Sequence, residues 1–220
     1  MILNIDPHVH TKCSSDGLIA IDEVASLSRR KGLNGVAITD HNSIEGAIKL
    51  KEDTPEDFVV IVGEEIRTSE GEITGLFLKE WIPSGLSPET TVEKIKLQGG
   101  LVVVTHPFCR FRRNRLKLNS LIRIKEMVDA IEVFNSRNIL QIDNKKAYSF
   151  AKANKKLMLV GSDAHIGVEY GNSYIKISPF SNAEEFKKNL SSAEFIKKTS
   201  PLWVHFITKW RASFKRFSRK

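Results

Sequence analysis

The chain has 220 residues and only two cysteines, Cys13 and Cys109. Two thiols cannot build the disulfide framework that staples small secreted domains, and reduced thiols suit a cytoplasmic protein. Both read first as small buried side chains, with a place beside a metal as the alternative. No apolar run approaches the roughly 20 residues of a membrane-spanning helix. The start, MILNIDPHVH, has neither the basic segment nor the apolar stretch of a secretory signal. Cytoplasmic localisation is therefore expected. Internal repeats and low-complexity linkers are lacking too, and the length suits one domain with a sizeable core.

Acidic residues are missing from two stretches. Residues 110 to 117 carry Arg110, Arg112, Arg113, Arg115 and Lys117 without an acid, and residues 202 to 220 carry Lys209, Arg211, Lys215, Arg216, Arg219 and Lys220 without one. These two segments hold more positive charge than the net +8 of the whole chain, so the remainder is mildly acidic. The basic character belongs to two separate patches, which leaves room for different roles.

What is there is an alternation. The runs ILNI, GVAIT, FVVIVG, ITGLFL, LVVVT, AIEVF and LMLVG are short and rich in Val and Ile, as strands buried on both faces are. Between most of them lie amphipathic stretches such as IDEVASLSRRKG and ILQIDNKKAYSFAKANKK. Ser87-Pro88 reads as a helix start, and Lys31-Gly32 and Gln98-Gly99-Gly100 as helix stops. Strand and helix repeated about seven times imply a parallel sheet, open or closed into a barrel.

Five of the six histidines decide between these. His8 and His10 follow the first strand, Asp40 and His41 the second, and Glu64 and Glu65 the third. His106 follows LVVVT, Asn135 follows AIEVF, and Asp163 and His165 follow LMLVG. A doubly wound sheet concentrates its ligands at one switch point, whereas a β/α barrel gathers residues from many strand ends at one mouth. Polar groups at six strand ends favour the barrel. Imidazole and carboxylate together suit zinc, manganese or iron.

The ordered signatures His8-Val9-His10 with Ser15-Asp16-Gly17, Thr39-Asp40-His41-Asn42, Gly63-Glu64-Glu65-Ile66, Thr105-His106-Pro107, Glu132 to Asn135 and Gly161-Ser162-Asp163-Ala164-His165 resemble the PHP (polymerase and histidinol phosphatase) domain. They cover residues 1 to about 178. The resemblance implies a distorted seven-stranded, TIM-like β/α barrel over residues 1–180, with two or three divalent ions at its mouth. Carried over by position, His8, His10, Glu65 and Asp163 hold the first ion, and Glu65 bridges to a second that His106 helps bind. Asp16, His41 and His165 hold the third. The family pattern Gly-x-Glu selects Glu65 rather than Glu64. Asn135 stands where family members often have a stronger ligand, so the second ion is expected to be weakly held there. Asp40 is expected to orient His41 from behind.

The chemistry expected of such a site is hydrolysis of a phosphate ester by a metal-activated hydroxide, with Glu65, Asp163 and His165 as the catalytic residues. The basic run after His106 lies above the metals in a barrel, so Arg110, and after it Arg112 and Arg113, are expected to hold the substrate phosphate. A small phosphorylated metabolite or nucleotide is the expected substrate. The alternatives are a nuclease or nucleic-acid end-processing enzyme, and a non-catalytic domain that metals only stabilise.

Residues 181–200 read as peripheral helices. Beyond Pro201, Trp203, Phe206, Trp210, Phe214 and Phe217 recur every three or four residues, which places them on one helical face opposite most of the cations. Docking onto the barrel, an anionic membrane surface and nucleic acid are all open readings of this tail. A chain ending before Pro201 is expected to keep a folded barrel.

Overall fold

The computed structural model describes residues 1–208 and 210. The seven apolar runs form β1 (Leu3–Val9), β2 (Gly35–Ile38), β3 (Val59–Thr68), β4 (Gly71–Leu76), β5 (Leu101–Val104), β6 (Ala130–Asn135) and β7 (Leu157–Gly161). They stand side by side in chain order as one curved sheet. The sheet nearly closes where Asp163 N donates to His8 O at 2.8 Å and His10 N donates to Ala164 O at 2.8 Å. Ile5, Val36, Ile38, Val102, Val104, Ile131 and Val160 are fully buried, which explains why these strands read as unbroken apolar runs.

The sheet is not wholly parallel, contrary to the repeated strand and helix expected from the sequence. β4 runs antiparallel to both β3 and β5. Only Ser69 and Glu70 separate β3 from β4, too few residues for a parallel crossover, so the chain must turn back as a hairpin. Two further strands extend the sheet past β1. β8 (Tyr174–Ile177) pairs antiparallel with β1, and β9 (Glu194–Ile196) pairs antiparallel with β8. The sheet therefore has nine strands where seven were expected.

The helices are α1 (Ile21–Arg30), α2 (Glu45–Asp53), α3 (Pro88–Leu97), α4 (Leu118–Ile124), α5 (Gln141–Ala153) and α6 (Ala183–Leu190). Ser87 caps α3 by accepting from Thr90 N at 3.1 Å. Gly99 closes α3 with φ +74°, a conformation that glycine adopts without steric cost. Residues 181–200 hold α6 and β9 rather than peripheral helices alone, and Phe186 of α6 is fully buried.

The start of the tail packs on the barrel, but not through its aromatic face. Residues 204–208 are helical. Val204 is fully buried, and Thr208 Oγ1 accepts from Arg137 Nη2 at 2.7 Å. Trp203, Phe206 and Trp210 face outward. Phe214 and Phe217 lie outside the described residues. Deleting residues 201–220 removes a buried valine and a partner of a buried guanidinium, a loss of about 2–4 kcal/mol. Thermal unfolding of the truncated chain should stay cooperative with a lowered midpoint; insoluble protein would make the segment part of the core.

Candidate metal centre

Each strand end delivers its side chain to one place. His8 and His10 point the same way from the end of β1, as residues two apart on a strand must. Asp163 and His165 arrive from the segment after β7, His41 from after β2, and His106 from after β5. Alternation settles the acid of β3. Glu65 faces the cluster, while Glu64 turns to the other side and accepts from Ile82 N at 3.0 Å. His106 and Asp163 sit at φ +35° and +54°, a region that costs a non-glycine residue about 1–3 kcal/mol and persists where the surroundings impose it.

The first ligand set is compact. His8 Nε2 lies 3.1 Å from His10 Nε2. Asp163 Oδ1 is 3.5 Å from the first and 3.4 Å from the second of these nitrogens, and Glu65 Oε2 is 3.8 and 3.5 Å from them. Ligands at about 2.0–2.2 Å from a tetrahedral ion stand roughly 3.3–3.6 Å apart, so these atoms have the spacing of a coordination shell. Glu65 Oε2 and Asp163 Oδ1 are buried and accept no hydrogen bond among the described residues. Buried anionic oxygens without donors call for a cation. The donor set fits a divalent ion.

The remaining groups overlap with it. His8, His106 and Asp163 converge, and so do His10, His41 and His165. His106 Nε2 is 2.8 Å from Glu65 Oε1, which leaves the two oxygens of Glu65 facing opposite sides of the cluster. Asp16 Oδ2 is 3.2 Å from His165 Nε2 and 3.8 Å from His41 Nε2. The structure thus brings together His8, His10, Asp16, His41, Glu65, His106, Asp163 and His165, with His8 and His10 each reaching two groups rather than one.

A surrounding tier fixes the rings. His8 Nδ1 faces Glu132 Oε1 at 2.9 Å, His10 Nδ1 faces Ser14 Oγ at 3.1 Å, and His165 Nδ1 faces the carbonyl of Asp163 at 2.8 Å. Each contact suits a proton on Nδ1 and points Nε2 toward the cluster, where it can ligate once the ring is neutral. Asp40 accepts from Thr11 and from Ser14 Oγ, so it acts through Ser14 on the ring of His10, not on the ring of His41 as expected. Ser14 Oγ also accepts from His41 N, so the link to His41 runs through its backbone.

Two expectations change on geometry. Asn135 donates from Nδ2 to Glu132 and Asp163 at 2.9 and 3.0 Å, while its Oδ1 accepts from Arg137 N, so its oxygen is not turned to an ion. Arg110 is spent on Asp143, with Nε donating at 3.1 Å, and Arg113 lines a separate surface cleft with Arg67 and Lys117. Arg112 is the arginine that reaches the centre, through Nη2 to Asp163 Oδ2. Glu72 was missed. It is buried in β4, outside every motif, with Oε1 3.7 Å from His41 Nδ1. Neither cysteine joins a metal-capable group among the described residues.

Electrostatics divides the rings. Burial opposes charge on His8, yet Glu132 and then Glu65 outweigh it and push its pKa up to about 10. Against the same effect of burial, Asp16 and Glu65 push His41 up to about 10. Burial followed by Arg112 lowers His106 to about 4, and burial followed by Arg137 lowers His165 to about 3. Burial, reinforced by Glu65, raises Glu72 to about 7. The surrounding carboxylates thus favour the protonated rings of His8 and His41. The cluster is also largely buried: among its described residues Asp16, His41 and Arg112 reach solvent, about a fifth to a quarter exposed.

The model of the PHP domain matches residues 6–100, and that of the PHP-associated region matches residues 141–195. The uncharacterized protein MJ1587 of Methanocaldococcus jannaschii is 42% identical over 148 residues, which are 61% of this chain and 82% of that protein. A two-domain protein of Bacteroides vulgatus containing a predicted PHP-like metal-dependent phosphoesterase superposes with a TM-score of 0.68 at 16% identity, over 90% of this chain and 65% of that one. The lesion-specific endonuclease PfuEndoQ of Pyrococcus furiosus gives 0.64 at 18% identity, over 89% of this chain and 58% of that one.

Three outcomes follow for metal binding. Since ligation needs neutral rings, binding at pH 7 should release protons from His8 and His41, and affinity should fall as pH is lowered. Calorimetry in two buffers of different ionisation enthalpy checks this; an enthalpy that ignores the buffer would contradict it. Gly161→Ala places a Cβ 2.6 Å from His8 Cβ and 2.8 Å from Glu132 Oε1, and should weaken metal binding about 10- to 100-fold. Metal at a hundredfold excess over Kd should stabilise the fold by about 2.7 kcal/mol, and chelator should reverse the gain in Tm.

Proposed function

The chain belongs to the PHP domain family, and on that footing we propose that it is a metal-dependent phosphoesterase acting on a small phosphorylated metabolite or nucleotide. The observation that carries this reading is the pair of donorless buried oxygens, Glu65 Oε2 and Asp163 Oδ1, set at coordination spacing from His8 and His10 with a guanidinium beside them. Two or three zinc, manganese or iron ions would be held by His8, His10, Asp16, His41, Glu65, His106, Asp163 and His165. Bound divalent ions would supply Lewis-acid stabilisation of the phosphoryl oxygens and an acidified water as nucleophile.

The chain's own residues do the rest. Glu65 spans the cluster, with one oxygen toward His106 and the other toward His10 and His41, and so sets the spacing of its two halves. Asp163 joins the first ligand set to Arg112. His165 turns Nε2 toward Asp16 at the edge of the cluster that reaches solvent. Arg112 stands at the same mouth, where it can take up a phosphate once Asp163 is engaged by metal.

The largely buried cluster favours one phosphate over a strand of them. Of the arginines expected to hold the phosphate, Arg112 is the one whose guanidinium bonds a ligand of the centre. The second reading, a nuclease, draws on the fold likeness to a lesion-specific endonuclease and on the two acid-free segments. Ionic strength separates them, because contacts to several backbone phosphates make affinity fall steeply with salt.

Glu65→Gln should cut turnover by more than roughly 100-fold with the fold retained, since even outer partners of a ligand cost 10- to 100-fold; near-normal turnover would sink its spanning role. Arg112→Ala should raise KM for a phosphomonoester roughly 10- to 100-fold at unchanged metal content, and an unchanged KM would remove Arg112 from substrate binding. A screen of phosphorylated nucleotides, sugar phosphates and oligonucleotides with metal-loaded protein should release phosphate from small esters. Cleavage confined to oligonucleotides would establish the nuclease instead.

A further inference from the structure

The first turns of the tail hold an apolar face away from the domain. Leu202, Trp203, Phe206 and Trp210 are 60%, 48%, 74% and 66% exposed, and Ile207 lies beside them. Isolated exposed apolar residues are ordinary, but three large aromatic rings at spacings of three and four on one helical face form a patch. The domain fixes its direction. Val204 is buried, Thr208 is tied to the buried Arg137, and Ser200 N donates to Ser136 O at 2.8 Å. The face opposite these anchors therefore cannot turn inward without breaking them.

We propose that this face seats on the surface of an anionic lipid bilayer. Charge complementarity supports the choice: residues 202–220 contain six cations and no acid. The sequence period continues the aromatic positions through Phe214 and Phe217 and leaves Lys209, Arg211, Lys215, Arg216, Arg219 and Lys220 off that stripe. Such a division suits an interfacial segment, whose Trp and Phe enter the headgroup boundary while Lys and Arg reach anionic phosphates. A single-stranded nucleic acid would instead draw on bases stacked between cations along one groove. No helix among the described residues is long and apolar enough to cross a membrane.

The anchor places this face at the mouth end of the barrel. Arg137 follows the end of β6, and its Nε is 3.1 Å from Glu169 Oε1, while Glu169 Oε2 accepts from His165 N at 3.0 Å. A bilayer-bound protein would thus carry its metal cluster on the side nearest the lipid.

Flotation of the full chain with vesicles tests the proposal. The protein should float with phosphatidylcholine vesicles containing about a third phosphatidylserine, not with phosphatidylcholine alone, and less at high salt. The double variant Trp203→Ser with Phe206→Ser should bind the anionic vesicles at least tenfold more weakly while keeping its thermal midpoint. Should that variant fail to fold, wild-type tryptophan fluorescence gives the second measurement, with a blue shift expected on adding anionic vesicles alone. Absence of flotation, or flotation that the folded double variant retains in full, would overturn the proposal. So would indifference to vesicles combined with variant-sensitive binding to a single-stranded oligonucleotide, which would assign the face to nucleic acid.

Discussion

Glu65 carries a charge where no water reaches it. Of its two oxygens, one accepts from Thr105 Oγ1 at 2.8 Å and meets His106, while the other has no hydrogen-bond donor among the described residues. Removing a carboxylate from water costs several kcal/mol even after relaxation, and only opposing charge at close range offsets it. Protonated rings at His8 and His41, which the carboxylates favour, would provide part of that charge. Divalent ions would provide it more completely, and the ring nitrogens are already turned to receive them. The centre is thus a frustrated set of ligands whose most stable partner is a cation.

The rest of the fold reads as what it takes to hold such a set still. A nearly closed barrel brings six strand ends to one mouth, and its lower strands supply an apolar core that tolerates the polar cluster above it. Left-handed backbone at His106 and Asp163 aims two ligands that ordinary strand geometry would not. Gly161 lets β7 approach His8 and Glu132 more closely than a Cβ permits. Outside the ligands, Glu132, Ser14 with Asp40, and Glu169 hold His8, His10 and His165 in place. Barrel and ligands are coupled, so a change behind the site acts on it.

Much of this was legible in the sequence because unbroken apolar runs and their polar ends are local signals. The positions of His8, His10, His41, His106, Asp163 and His165 after apolar runs placed them at one mouth once a barrel was chosen. Other features depend on pairings that no local pattern carries. The reversal of β4 follows from a two-residue turn, and only that reversal sets Thr74 opposite Glu65 and brings Glu72 to the same face two residues along. The choice of Arg112 over Arg110 depends on Asp143, which lies on α5, far along the chain. The orientation of Asn135 depends on Glu132 and Asp163, which both accept from its amide. The aromatic stripe beyond Pro201 was visible, but which side of that segment meets the barrel was decided by Val204 and Thr208.

The central claim is that Glu65 lies between ions, and anomalous diffraction from crystals of manganese-loaded protein tests it most directly. At least two anomalous peaks should flank the Glu65 carboxylate, one within coordination distance of His8, His10 and Asp163. A cluster free of anomalous density at saturating metal, or one peak remote from Glu65, would contradict the account.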